Sequence, residues 1–79
     1  MIRNEIVRII HVENLSHFSW FQGNSIRPNE VGIKETNGRW FVYTSDERAN
    51  LIMEKEYDTE YEALENFLKR LRALNKYIE

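Results

Sequence analysis

The chain has 79 residues, 42% of them apolar, with no cysteine, three glycines, one proline and a formal net charge of −2 at pH 7. That length predicts one domain over residues 1–79 built on one small core, and the missing thiols exclude disulfides and thiolate metal sites. A core of this size supplies roughly 3 to 5 kcal/mol net, so a second protein surface is the expected reinforcement, either another copy of the chain or a different protein.

Arg3, Glu5 and Arg8 interrupt the apolar residues of the first ten positions more densely than a signal-peptide core or a membrane span tolerates. A cytoplasmic protein without membrane contact is expected. Ile2, Ile6, Ile9, Ile10 and Glu13 recur at three-four spacing, which predicts a helix over residues 2–14. Residues 16–21 then alternate as a strand, with Phe18 and Trp20 on one side and Ser19 and Phe21 on the other. Gly23-Asn24-Ser25 and Arg27-Pro28-Asn29 supply a loop, and Pro28 forbids a central strand at that point.

Asn37-Gly38 is the preferred pair for a two-residue type I′ hairpin turn, because both positions require positive φ. The turn fixes the register. Thr36 faces Arg39, Glu35 faces Trp40, Ile33 faces Val42 and Val31 faces Thr44, so Val31, Ile33, Trp40 and Val42 share a core face. The opposite face receives Lys34, Phe41 and Tyr43, and two aromatic rings exposed there would need a reason. Leu51, Ile52 and Met53, bounded by Glu54, Lys55 and Glu56, form a run of strand length, with a loop over residues 50–56 as the other reading.

A long final helix follows, capped by Asp58 or Thr59, with Thr59 and Glu62 at capping-box spacing. Its apolar stripe is Tyr61, Leu64, Phe67, Leu68, Leu71, Leu74 and Ile78. The expected architecture is therefore α+β: a helix, a three- to four-stranded antiparallel sheet and a long C-terminal helix, with both helices on one sheet face. Trp20 and Trp40 are expected in the core rather than as base-stacking platforms.

No set of residues assembles catalytic chemistry. His11 and His17 are six apart across a helix end, not at the four-residue spacing that joins two ligands on one metal. Neither stands in a recognisable pattern with an acid, a nucleophile or a phosphate-cradling loop. The expectation is a protein that is not an enzyme and needs no metal or cofactor.

Charge is the stronger signal. Residues 46–65 carry a net charge of −6 and residues 66–79 a net charge of +3. The macrodipole of the final helix accounts for Glu60, Glu62, Lys69, Arg70 and Lys76. It does not reach Asp46, Glu47, Glu54 or Glu56, which precede the helix. Such a cluster is either a recognition surface or an edge strand guarded against aggregation. It would repel phosphates, which argues against direct nucleic-acid binding, and would suit a basic protein partner. Asp46, Glu47, Glu54, Glu56 and Asp58 are the candidate charge contacts, with Phe41 and Tyr43 as aromatic anchors. Arg48 is expected to fasten its own loop through a carboxylate pair.

The stretches Arg27-Pro28-Asn29-Glu30-Val31-Gly32-Ile33, Gly38-Arg39-Trp40-Phe41-Val42-Tyr43-Thr44-Ser45-Asp46-Glu47-Arg48-Ala49 and Glu62-Ala63-Leu64-Glu65-Asn66-Phe67-Leu68 give the chain a family likeness over residues 27–72. It resembles the small α+β immunity proteins of bacterial polymorphic toxin systems, the immunity protein 59 family or one similar to it. The resemblance implies a cytoplasmic protein that binds and neutralises the toxin domain encoded beside it, often a nuclease. It assigns no contact residue, because such families diverge at their binding positions. A small homodimeric interaction or regulatory module, using the free sheet face, is the alternative reading.

Overall fold

A computed structural model of the chain describes residues 1–22 and 26–78. The elements are α1 (Arg3–Val12), β1 (Phe18–Trp20), β2 (Val31–Thr36), β3 (Arg39–Ser45), β4 (Leu51–Tyr57) and α2 (Glu60–Ile78). They form one four-stranded sheet in the order β1-β2-β3-β4. The expected Gly23-Asn24-Ser25 part of the loop lies outside the described residues.

The hairpin of β2 and β3 forms in the register set by its turn, with Thr36 opposite Arg39, Ile33 opposite Val42 and Val31 opposite Thr44. Asn37 and Gly38 adopt φ of 53° and 76°, as a type I′ turn requires. Residues 51–57 are a full strand, paired antiparallel to β3.

The sheet is mixed rather than wholly antiparallel, because β1 runs parallel to β2, with Phe18 opposite Val31 and Trp20 opposite Ile33. A parallel neighbour needs a connection that returns the chain to its starting end. The described residues just ahead of β2 are clamped from several sides. The Glu30 carboxylate, 3% exposed, pairs with Arg27 at 3.1 Å, and Ser45 Oγ donates to the Arg27 carbonyl at 2.6 Å while accepting from the Glu30 N–H at 3.0 Å.

Both helices cover the same sheet face, as their stripes predict. Ile6 of α1 meets Val31, Ile33 and Val42 of the sheet and Ala63, Leu64, Phe67, Leu68 and Leu71 of α2 in one buried cluster. Trp20 and Trp40 pack at its border, Trp20 with its ring centroid 5.6 Å from that of Phe67. Tyr61 and Ile78 are exposed, so the buried stripe of α2 is narrower at both ends than the sequence suggests, and Ala63 joins it instead. Thr59 is the cap: its Oγ1 accepts from the Glu62 N–H at 3.2 Å and bonds the Glu62 carboxylate at 3.0 Å. At α1 the Glu5 carboxylate accepts from the Ile2 N–H at 2.9 Å, serving one of the amides that a helix start leaves without a partner.

Arg3 joins the layers. Its guanidinium makes a two-pronged contact with Glu60 at 3.1 and 2.9 Å and stacks 3.8 Å above the Phe21 ring, while Trp40 Nε1 donates to the same carboxylate at 3.2 Å. A paired fork of this kind fixes orientation as well as adding attraction. The far ends of the helices are tied by Arg72, which holds Glu13 through Nε at 3.0 Å, and by Asn75, whose amide bonds the N–H and C=O of Ser16 at 2.8 and 2.9 Å.

Candidate partner-binding surface

The sheet face away from the helices carries the residues singled out by charge and aromaticity, and a break in β4 determines how. Val42 pairs with Lys55 and Thr44 with Ile52, so Met53 and Glu54 together stand opposite Tyr43 in a β-bulge. One extra residue inverts the side-chain alternation beyond it. Glu54 and Glu56 are thereby delivered to the far face, beside Lys34 and Phe41, and Lys55 is delivered to the helix side, where its ammonium lies 5.4 Å from the Tyr57 ring centroid.

The far face is internally compensated. Lys34 Nζ pairs with Glu54 at 3.0 Å and lies 5.6 Å from the ring centroids of both Phe41 and Tyr43, a cation held between a carboxylate and two π faces. Arg39 pairs with Glu56 and reaches Asp58 at 4.0 Å. Of the acidic candidates, Glu54 and Glu56 thus have cations of their own chain. The Asp58 side chain is 90% exposed with only that marginal contact, and Glu47 has no ion pair among the described residues.

Tyr43 does not present a ring to solvent. It is 2% exposed, its ring laid across Gly32 of β2 and flanked by Lys34. The expectation of two exposed aromatics is corrected to one, because glycine at position 32 leaves a slot that the neighbouring ring fills. Phe41 keeps partial exposure.

Asp46 is used by its own turn. Its Oδ1 accepts from the backbone N–H of Arg48 at 2.9 Å and of Asn50 at 2.8 Å, and the Asn50 N–H, followed by that of Arg48, holds the carboxyl below its usual range against some desolvation. The loop is therefore fastened by Asp46 and backbone amides. The expected Arg48 carboxylate pair is absent among the described ion pairs, since the guanidinium is not what closes the turn.

The acidic candidates do not form one compact cluster. Asp46 and Glu47 sit in the turn before β4, Glu54 and Glu56 within it and Asp58 just beyond it. At about 3.3 Å per residue they run on the order of 20 Å along the sheet edge. Sequence reasoning passed over two kinds of neighbour. Lys34 and Arg39 neutralise part of this edge, a pairing legible once β3 and β4 are aligned. Leu51, Ile52 and Met53, whose run predicted a strand, do form one but are all exposed on the edge.

Among the described residues no group of three or more His, Cys, Asp or Glu side chains is placed to hold a metal ion. No described helix is long and apolar enough to cross a membrane. No curated protein and no solved structure matches the chain. The sequence model of immunity protein 59, Imm59, matches residues 1–77, from the start of the chain almost to its end. With that match covering α1, all four strands and α2 but for its last residue, the chain belongs to the immunity protein 59 family.

Proposed function

We propose that the chain is an antitoxin that binds and neutralises a cognate secreted toxin domain, a basic protein and a nuclease, working in the cytoplasm by occlusion and without chemistry of its own. Family membership carries this reading. A nuclease needs a basic surface to hold its substrate, and the carboxylates along β4 offer that surface a competing counterpart. The contact surface is the β4 edge with its flanking turns, comprising Glu47, Glu54, Glu56 and Asp58 as charge contacts and Phe41 as the accessible ring. Tyr43 and Asp46 serve it from beneath, one by filling the Gly32 slot and the other by shaping the turn.

The test is association kinetics between this chain and the purified product of the adjacent toxin gene. Reversing Glu54 and Glu56 to lysine is expected to slow association by roughly tenfold at low salt and to flatten its salt dependence, with the circular dichroism of the fold unchanged. Equal rates for the wild type and the double variant at low salt would remove the electrostatic part of the proposal. A wild type that binds no toxin removes the whole of it.

A further inference from the structure

The first helix is held to the rest of the molecule along a narrow line. Of the ten residues of α1 only Ile6 is fully buried, while Val12 is 70% exposed and Ile2, at the cap, 61%. An open groove of about 290 Å³ runs along one side of the helix, lined by Glu5, Arg8, Ile9, Val12 and Glu13. Its walls are the rows Glu5–Ile9–Glu13 and Arg8–Val12, each spaced by four residues, the kind of furrow into which a second helix sets its own ridge. Glu13 is occupied by Arg72, and Glu5 gives one oxygen to the Ile2 N–H at 2.9 Å. Arg8 has no ion pair among the described residues, although Glu5 stands three positions away on the same helix.

We infer that this side of α1 is a self-association surface and that its occupant is α1 of a second copy, laid antiparallel. A two-fold dimer requires a patch that complements itself. At about 100° per residue Glu5, Arg8 and Val12 fall within roughly 60° of one another, so they share one face. An antiparallel pair that sets Glu5 opposite the partner's Arg8 also sets Arg8 opposite the partner's Glu5. In the same register Val12 meets the start of the partner's helix, where Ile2 is exposed, so apolar side chains flank the two ion pairs at both ends. Charge fixes the direction, because a parallel pair would set Arg8 against Arg8 and Glu5 against Glu5. It also decides the occupant: the groove presents both signs side by side, which suits a copy of itself better than a partner of uniform charge. A helix of this length spans about 15 Å, so the contact is small and the dimer reversible. None of its residues belongs to the β4 edge. Both copies keep that edge for a toxin, and the inference stands apart from the antitoxin reading.

Sedimentation of the full chain from micromolar to millimolar concentration tests it, with the wild type expected to pass reversibly from monomer to dimer. Arg8→Glu changes an exposed residue with no ion pair in its own chain. It is expected to keep the fold by circular dichroism and to weaken the dimer by roughly tenfold or more, because it opposes the partner's Glu5. Glu5→Lys is expected to weaken it likewise. An equimolar mixture of the two variants is expected to recover association, since one chain then presents two cations to the two carboxylates of the other. Where Glu5→Lys frays the helix by removing the bond to Ile2, the Arg8→Glu result decides alone. A wild type that stays monomeric throughout overturns the inference, and so does a dimer that Arg8→Glu leaves intact.

Discussion

Gly32 and Tyr43 face each other across β2 and β3, and a Cβ at position 32 would stand 2.0 Å from Cζ of the tyrosine ring. The ring thus closes a sheet face that no helix covers, using the space a missing side chain leaves. Gly32→Ala forces the ring out and is expected to cost about 1 to 3 kcal/mol, as overpacking does, while Tyr43→Ala opens the slot at about 3 to 5 kcal/mol. Combining them is expected to cost less than the sum, because the alanine methyl no longer meets a ring. Urea unfolding of the four chains checks this, and strict additivity would refute the coupling.

Glu60 is the electrostatic hinge between the layers. Hydrogen bonds from Arg3 hold its carboxyl below the usual glutamate range against partial burial, with the charge of Arg3 and the Trp40 indole adding to the effect. Folding thus favours the ionised form. The stability it contributes is fully present above the ordinary value of about 4.3 and is lost as pH falls through the lower folded value. Glu60→Gln is expected to cost about 1 kcal/mol near pH 7. The gap between variant and wild type should narrow as pH falls below the ordinary glutamate range. Chemical denaturation above and below that range measures it, and a gap that is constant with pH contradicts the assignment.

Asn75 acts as a piece of strand carried on a helix, its amide pairing with both backbone groups of Ser16 just ahead of β1. Because the site is exposed, water replaces the lost bonds in Asn75→Ala, and the global cost is expected to be only about 1 kcal/mol. The local effect is the sharper readout. Faster hydrogen exchange at the Ser16 amide, with the core amides of β3 unchanged, is the expected result.

How far the sequence reveals this molecule depends on which interactions are local. The β2–β3 register follows from two adjacent turn residues, and the α2 cap from Thr59 and Glu62 three positions apart, so both are legible. The parallel β1 is tied to the residues ahead of β2 by Arg27, which donates to the Phe18 carbonyl at 3.0 Å while pairing with Glu30, and no periodicity announces that contact. The bulge is hidden for a different reason: glycine or asparagine would have signalled it, whereas methionine at position 53 is held there by Arg70 from another element. Reading β4 without its bulge assigns Glu54 and Glu56 to the wrong face, and the cations that pair with them go unnoticed. The edge was legible as acidic, but not the compensation along it.

That compensation makes a prediction opposite in sign to charge reversal. Arg39 is paired with Glu56 and lies 4.0 Å from Asp58, so it draws down the negative field where a basic partner would arrive. Removing it by Arg39→Ala leaves both carboxylates free. Exposed pairs of this kind contribute about 0 to 1 kcal/mol, so the fold is expected to lose little. Association with the toxin is expected to accelerate by several-fold at low salt and to become more salt-dependent, because encounter rates follow the field rather than individual contacts. Stopped-flow measurement over a salt series distinguishes this from a direct role. If Arg39 itself contacts the partner, its removal speeds dissociation and leaves the association rate unimproved, and the β4 edge is then not the electrostatic face of the interface.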